Sequence, residues 1–346
     1  MRDPSVSTLP PPEALSRFLT GEMPGVDLWR ARRHLIGTRD LTRAEVDCLL
    51  SLTGICKKLV QMQAAPLAVL GNKVVANVFY ENSTRTRSSF ELAAGRLGAT
   101  MLNLDVGASS VAKGETLADT AGTLVAMGVH AVVQRHPSSG SAHQLAEALG
   151  GKAHVVNAGD GWNEHPTQGL LDLFTMLEVC PDLTGVKVAI IGDITHSRVA
   201  RSNIWLLKLF GADIHVAGPP TLIPADLARL GVTVHNHLDP AIEKARFIMA
   251  LRMQLERQKA GLIPSLSEYK KLYRLDHHRL RLAADHARVL HPGPCNRGVE
   301  ITDQLADDPA LSLITTQVTN GIAVRMAVLY LLLAEPGGRP GLTPGS

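Results

Sequence analysis

Eight short apolar runs, spaced by stretches of helical periodicity, restrict this chain to one kind of architecture. VVANVFY (74–80), TMLNLD (100–105), HAVVQ (130–134) and AHVVN (153–157) form a first series, with helical stretches near 88–97, 115–127 and 141–149. VKVAIIGD (186–193), DIHVAG (213–218), RFIMAL (246–251) and ARVLHPG (287–293) form a second. Runs that are apolar on both faces suit strands covered on both sides, and helix-length connections are what parallel neighbours require. The pattern predicts an α/β protein of two doubly wound parallel-sheet domains, with its ligand site in the cleft between them. A helix at 166–178, opened by Pro166, joins the two series. Another starts near Asp40, with Asp40 or Thr42 as its cap and Val46, Leu49, Leu50 and Leu52 on its buried side. We find no internal repeat.

The regions outside this alternation set the domain limits. Residues 1 to about 28 hold five prolines with little periodicity, and the chain closes on PGGRPGLTPGS. Both are expected to be mobile tails, taken as 1–30 and 335–346. Between them the first domain is assigned 31–164 plus 318–334, and the second 165–317. A chain of 346 residues, 45% hydrophobic, is long enough for two cores. Its net charge of +3 and the lack of basic stretches interleaved with aromatics argue against a nucleic-acid partner. Cys48, Cys56, Cys180 and Cys295 form no C-x-x-C pair, so they are expected to be reduced and buried, without a disulfide framework or zinc site. No apolar h-region opens the chain and no uninterrupted apolar run reaches membrane-spanning length, so a cytoplasmic protein without membrane contact is expected.

In open parallel sheets, ligands lie beyond the C-terminal ends of the strands. The residues there are Ser83 to Arg87, Ser109 to Lys113, Arg135, His165 with Gln168, Arg198, Arg252 with Gln254, and HPGP at 291–294. Almost all are donors. Arg85, Arg87, Lys113, Arg135, Arg198 and Arg252 are cationic, and their complement is a small substrate rich in negative oxygens. STRTR (83–87) follows an apolar strand and opens a helix whose Phe90, Ala93, Ala94 and Leu97 share one face. The unpaired N–H groups of its first turn and the positive end of its dipole therefore meet the loop. With the hydroxyls of Ser83, Thr84 and Thr86 and the fork of Arg85, phosphate is the natural guest. Taken alone, the segment also reads as a capped helix with solvated arginines.

FYENSTRTRSSFE, SSVAKGETLADT, QRHP, NAGDGWNEHPTQGLLDLFT and LHPGPCNRGVEI together resemble the catalytic subunits of the aspartate carbamoyltransferases, within the aspartate/ornithine carbamoyltransferase family. The resemblance runs from about residue 33 to 334. It implies transfer of a carbamoyl group from carbamoyl phosphate to L-aspartate in pyrimidine (UMP) synthesis, by a homotrimer of two-domain subunits needing no metal or organic cofactor. Thr86 and Arg85, with the loop backbone, then hold the phosphate, and Arg135 adds a second clamp. His165, before Pro166 at a helix start, meets a positive dipole end that disfavours imidazolium. As a neutral donor it would join Arg85, Thr86 and Arg135 around the carbamoyl oxygen. By itself the residue reads as a cap. Gln168 can accept from the carbamoyl NH2, and Pro292, Gly293 and Pro294 bring backbone carbonyls to the same group. The resemblance also implies that the loop with Ser109 and Lys113 reaches a neighbouring subunit's site, for which Ala112 and Gly114 permit close approach; otherwise such a lysine is a solvated one. Lys113, Arg198, Arg252 and Gln254 are the candidates for aspartate, whose two carboxylates suit paired guanidinium forks.

IIGDITHSR lacks G-x-G-x-x-G, so Asp193 does not mark a dinucleotide site. An ornithine carbamoyltransferase is the nearest alternative, but its family usually has methionine in the phosphate loop and HCLP with a substrate-facing cysteine. This chain has Thr84 and HPGP, with Cys295 three residues too late. A catalytically inactive scaffold homologue is the alternative from another class, although every expected position is filled. The region before residue 33 has no counterpart in the resemblance, which leaves open a larger assembly with dihydroorotase or regulatory chains.

Overall fold

The computed structural model describes residues 25–104, 116–253 and 265–335. They divide into two compact units: the chain through Ile36 with Leu41–Asp160 and the stretch from Asn320 onward, and Gly37–Asp40 with Gly161–Thr319. The first break thus falls after Asp160, four residues before the expected limit, and the short segment Gly37–Asp40 groups with the second unit.

In chain order the first unit contains α1 (Val26–Ala31), β1 (His34–Leu35), α2 (Arg43–Gln61), β2 (Val74–Phe79), α3 (Thr84–Arg96), β3 (Thr100–Leu104), α4 (Leu117–Ala126), β4 (Ala131–His136), α5 (Ser141–Leu149) and β5 (His154–Asp160). Its sheet runs β1-β5-β4-β2-β3, every pair parallel. Ala131 to Gln134 of β4 are all buried, which is why that run shows no alternation of polar residues. Ala76, Val78, Leu124, Val132, Leu145 and Val155 form the core.

Capping decides where the helices start. Of the two expected caps for α2, Thr42 is the one used: its hydroxyl accepts from Glu45 N–H and the Glu45 carboxylate accepts from Thr42 N–H. Thr116 and Asp119 repeat the device at α4. Val46, Leu49 and Leu52 are buried as expected, but Leu50 is only half-buried. The expectation of a tail as far as residue 30 is corrected by α1, where Trp29 is fully buried and its Nε1–H donates to the Glu45 carbonyl at 2.7 Å. One aromatic residue brings enough apolar area to order a single turn.

The second unit contains α6 (Pro166–Val179), β6 (Lys187–Ile191), α7 (Arg198–Leu209), β7 (Asp213–Ala217), β8 (Thr233–His235), α8 (Leu238–Ile242), β9 (Phe247–Ala250), α9 (Leu266–Tyr273), α10 (His277–Leu280), β10 (Arg288–Leu290) and α11 (Asp303–Ala306). A final helix, α12 (Ile314–Leu333), begins here and belongs to the first unit from Asn320. The sheet is again parallel, ordered β10-β9-β6-β7-β8, over a core with Ala189, Ile191, Ile248, Val289 and Leu305. Beyond β7, a Cβ on Gly218 would lie 2.2 Å from the Gly192 carbonyl oxygen, so the chain leaving β6 and that leaving β7 touch backbone to backbone.

Strands β1 and β8 escape the sequence pattern because β1 spans only two residues and β8, of three, exposes two of them. Among the described residues, α12 is the one helix long and apolar enough to cross a membrane, and most of it is buried in the protein. Cys48 and Cys56 are buried, and burial pushes the Cys56 thiol up to about 12. The expected burial of all four thiols fails at Cys180 and Cys295, which are half-exposed.

Candidate active site

In the first unit, sheet pairing gathers the phosphate-binding candidates. Phe79 at the end of β2 pairs with Arg135 of β4, and Tyr80 N–H donates to the Arg135 carbonyl at 2.8 Å. The chain leaving β2 is thereby tied to the strand that carries Arg135. Helix α3 starts at Thr84 rather than near 88, so the hydroxyl-rich run is itself the first helical turn. Ser83 is its N-cap residue, but its side chain makes no capping bond. Thr84 and Arg85 are exposed and Thr86 is buried. Arg87 differs: its Nε donates to Asn103 Oδ1 at 3.3 Å and lies 3.4 Å from Glu91 Oε1, which holds it along the helix.

Arg135 is braced from two sides. Its Nη1 donates to the Ala158 carbonyl at 3.3 Å, and its Nε lies 3.4 Å from Glu81 Oε2, the two side chains being 17% and 18% exposed. Such a half-screened pair restrains the guanidinium while leaving it within reach of solvent. At the end of β5, Asp160 accepts from Gly140 N–H and from Asn157 Nδ2, each at 2.7 Å, and so fixes the neighbouring turn. His136 packs edge-on against Tyr80 with ring centroids 4.6 Å apart, and burial holds its pKa below the usual value.

In the second unit, Arg198, Arg252 and the HPGP segment follow β6, β9 and β10. These three strands are neighbours, so the two arginines leave adjacent strand ends. Arg198 opens α7, whose cap Ser197 accepts from Ala200 N–H, and Arg198 Nη1 donates to the Gly161 carbonyl at 3.4 Å. Beside it, His196 Nδ1 lies 2.9 Å from both Asp193 oxygens, and its ring meets Trp162 edge-on at 4.5 Å. Asp193 is thus an anchor for the loop, consistent with its rejection as a ribose ligand.

His165 and Gln168 open α6, both at least nine-tenths buried. His165 N–H donates to Ser202 Oγ at 2.9 Å, and Ser202 Oγ donates to Glu164 Oε2 at 2.8 Å. The same Glu164 oxygen accepts from the amide and the hydroxyl of Thr38, each at 2.7 Å. Helix contact makes this geometry possible. A Cβ on Gly169 would lie 3.0 Å from Ser202 Cβ and from Leu206 Cδ1, so α6 approaches α7 over a bare backbone. Gln168 Nε2 donates to Asp172 Oδ1 at 2.8 Å, which leaves its carbonyl end for another partner.

The structure therefore places Ser83, Thr84, Arg85, Thr86 and Arg135 at one end of the first sheet, and Arg198, Arg252 and Pro292 to Pro294 at one end of the second. His165 and Gln168 stand on α6 in the second unit. Ser109, Lys113 and Gln254 lie outside the described residues. Glu81, Glu164 and Ser202 were not singled out in the sequence. Only their neighbourhood to Arg85, His165 and Arg198 could have marked them, because a lone Glu or Ser carries no periodic signal.

The family model for the carbamoyl-P binding domain of aspartate/ornithine carbamoyltransferase matches residues 33–178, and that for its Asp/Orn binding domain matches residues 184–332. The chain belongs to the aspartate/ornithine carbamoyltransferase family. It is 53% identical over 301 residues to an aspartate carbamoyltransferase catalytic subunit of Desulforudis audaxviator, covering 87% of this chain and 97% of that one. A catalytic subunit of the same name from Thermosynechococcus vestitus is 50% identical over 319 residues, covering 89% and 96%. Among solved structures, aspartate transcarbamoylase of Trypanosoma cruzi with carbamoyl aspartate and phosphate superposes with a TM-score of 0.80 at 31% identity, over 90% of this chain and 99% of that one. Its complex with carbamoyl phosphate and aspartate gives 0.79 at 30% identity, with the same coverage.

Proposed function

We propose that this chain is an aspartate carbamoyltransferase, which moves the carbamoyl group of carbamoyl phosphate to the α-amine of L-aspartate. The products are N-carbamoyl-L-aspartate and phosphate. The observation that carries the reading is the donor-rich character of the strand ends, with hydroxyls and guanidinium groups in the first unit and two arginines on adjacent strands in the second. A phosphate and a dicarboxylate are the matching guests. The resemblance of most of the chain to aspartate, rather than ornithine, enzymes supports the choice of acceptor.

In this reading Ser83, Thr84, Arg85, Thr86 and the N–H groups of the first turn of α3 take the phosphate, and Arg135 neutralises it further. The amine lone pair adds to the carbonyl carbon, and charge grows on the carbamoyl oxygen. Arg85, Thr86, Arg135 and His165 are assigned to that oxygen, where preorganised donors contribute most. The bond to the bridging phosphate oxygen then breaks. Phosphate leaves with the electron pair, and the amine's proton passes to it. Gln168 and the carbonyls of the 292–294 segment receive the carbamoyl NH2, while Arg198, Arg252, Gln254 and Lys113 receive the aspartate carboxylates.

The finer reading is of a cytoplasmic homotrimer in pyrimidine synthesis, with Ser109 and Lys113 serving the neighbouring subunit. The resemblance of SSVAKGET to a subunit-crossing loop supports it. The activity is tested with EDTA-treated protein, carbamoyl phosphate and either L-aspartate or L-ornithine. Carbamoyl aspartate is expected to form faster; faster product from ornithine would overturn the assignment.

A further inference from the structure

A buried carboxylate links the two parts of the second unit that are assigned to the carbamoyl NH2. Asp172 lies fully buried on α6, one turn beyond Gln168. Its Oδ1 accepts from Gln168 Nε2 at 2.8 Å and from Gln317 Nε2 at 2.7 Å, and its Oδ2 accepts from Asn203 Nδ2 at 2.8 Å. These three donors are side-chain amides, and each turns its NH2 towards the carboxylate. An ionised carboxylate only accepts, so it dictates which way an amide with two nearly equivalent ends must point.

The consequence for Gln168 is direct. Its NH2 is committed to Asp172, and the end left for a ligand is the carbonyl oxygen, an acceptor. For Gln317 the consequence travels further, because its Oε1 accepts from His291 N–H at 2.9 Å. His291 opens the HPGP segment, and its Nδ1 accepts in turn from Gly293 N–H at 2.7 Å. Pro292 and Pro294 have no N–H. Both amide hydrogens of residues 291–294 are therefore turned into the protein, and what the segment's main chain retains for a ligand is carbonyl oxygens. Two separate pieces of chain share one polarity, and Asp172 is common to both.

We propose that Asp172 is a positioning residue that fixes the acceptor polarity of the carbamoyl subsite, and so makes the enzyme prefer carbamoyl phosphate to acyl phosphates of the same shape. Acetyl phosphate is the informative probe, since it replaces the NH2 by a methyl that donates nothing. The proposal rests on carbamoyl phosphate being the substrate, as assigned above.

The test measures dissociation constants of carbamoyl phosphate, acetyl phosphate and inorganic phosphate for the native enzyme and for Asp172→Ala. Without the carboxylate, Gln168 is free to turn its NH2 outward, and the His291 amide loses its restrained partner. Carbamoyl phosphate is expected to weaken by about tenfold or more, the worth of a lost hydrogen bond and a facing donor. Acetyl phosphate and inorganic phosphate should change by less than about twofold, because neither presents an NH2 to the acceptors that Asp172 orients. Equal weakening of all three ligands would reduce Asp172 to a packing residue and overturn the proposal, as would an unchanged preference. If Asp172→Ala does not fold, Gln317→Met decides by the same ratio. It breaks the connection between Asp172 and His291 while keeping the Gln168–Asp172 bond, and carbamoyl phosphate should weaken by about threefold to fivefold while acetyl phosphate holds; parallel changes refute the idea there too. Native enzyme that binds carbamoyl phosphate no tighter than acetyl phosphate would instead sink the substrate assignment, before any substitution is read.

Discussion

Replacing Ser202 by alanine removes one buried hydroxyl that joins α7 to the start of α6. The side chain is fully buried, accepts from His165 N–H at 2.9 Å and donates to Glu164 Oε2 at 2.8 Å. A hydrogen bond to a carboxylate is worth about 1.5–3 kcal/mol, and a buried N–H left without a partner costs about 1–3 kcal/mol. The two terms share one residue and do not add fully, so a loss of about 3 kcal/mol is expected. For a domain of this size, about 2–4 °C per kcal/mol gives a fall of about 6–12 °C in the melting transition. The loss should also reach the chemistry, because His165 is left without its main-chain tether and small misplacements of a catalytic group are costly. We expect kcat to drop by about tenfold at saturating substrates. Calorimetric melts and steady-state rates on the same preparation measure both. A melting temperature within about 2 °C of the native protein, with unchanged kcat, would refute the claim that this hydroxyl holds His165.

Arg85→Ala should lower kcat by on the order of a hundredfold or more, with a smaller change in KM for aspartate, because the guanidinium acts on charge that grows in the transition state; near-normal turnover in a folded variant would contradict that role. Stability should fall on acidification below about pH 6.5. His34 and His130 each use Nδ1 to accept a backbone N–H, from Val155 at 3.0 Å and Val74 at 3.1 Å, and burial holds both pKa values below the usual one. Their contribution is therefore complete above the unfolded value and is lost as pH falls through the lower folded values. His34→Gln with His130→Gln should flatten the dependence of melting temperature on pH, and an unchanged slope would exclude these two rings as its source. If subunits share sites, mixing Lys113→Ala with His165→Ala and exchanging their subunits should restore activity in about a quarter of sites; activity no higher than the parents', with exchange verified by mass, places Lys113 in its own subunit.

The alternation of apolar runs with helical stretches was enough to read both parallel sheets, since strands covered on two faces are apolar without interruption and their crossovers need helices. Local chemistry was legible as well. The cap at Thr42, the Pro166 helix start and the donor residues after each strand are decided within a few positions of chain. Errors arose where one contact outweighed composition. Trp29 orders α1 next to a Pro-rich segment, and α3 begins inside a hydroxyl run that reads as a loop.

Which polar residues support the site was a matter for the tertiary structure alone. Glu164, Asp172, Ser202, Asn203 and Gln317 look in sequence like ordinary polar residues of helix surfaces. Each is at least nine-tenths buried and joins segments up to 145 positions apart. The direction of the Gln168 amide and the tie between His165 and α7 follow from those distant partners. Sequence spacing carries the periodicity of a backbone, because dihedral preferences and solvent exposure act along the chain. A buried hydrogen bond is chosen by whichever donor and acceptor packing brings within about 3 Å, and that distance exists only after the chain has folded.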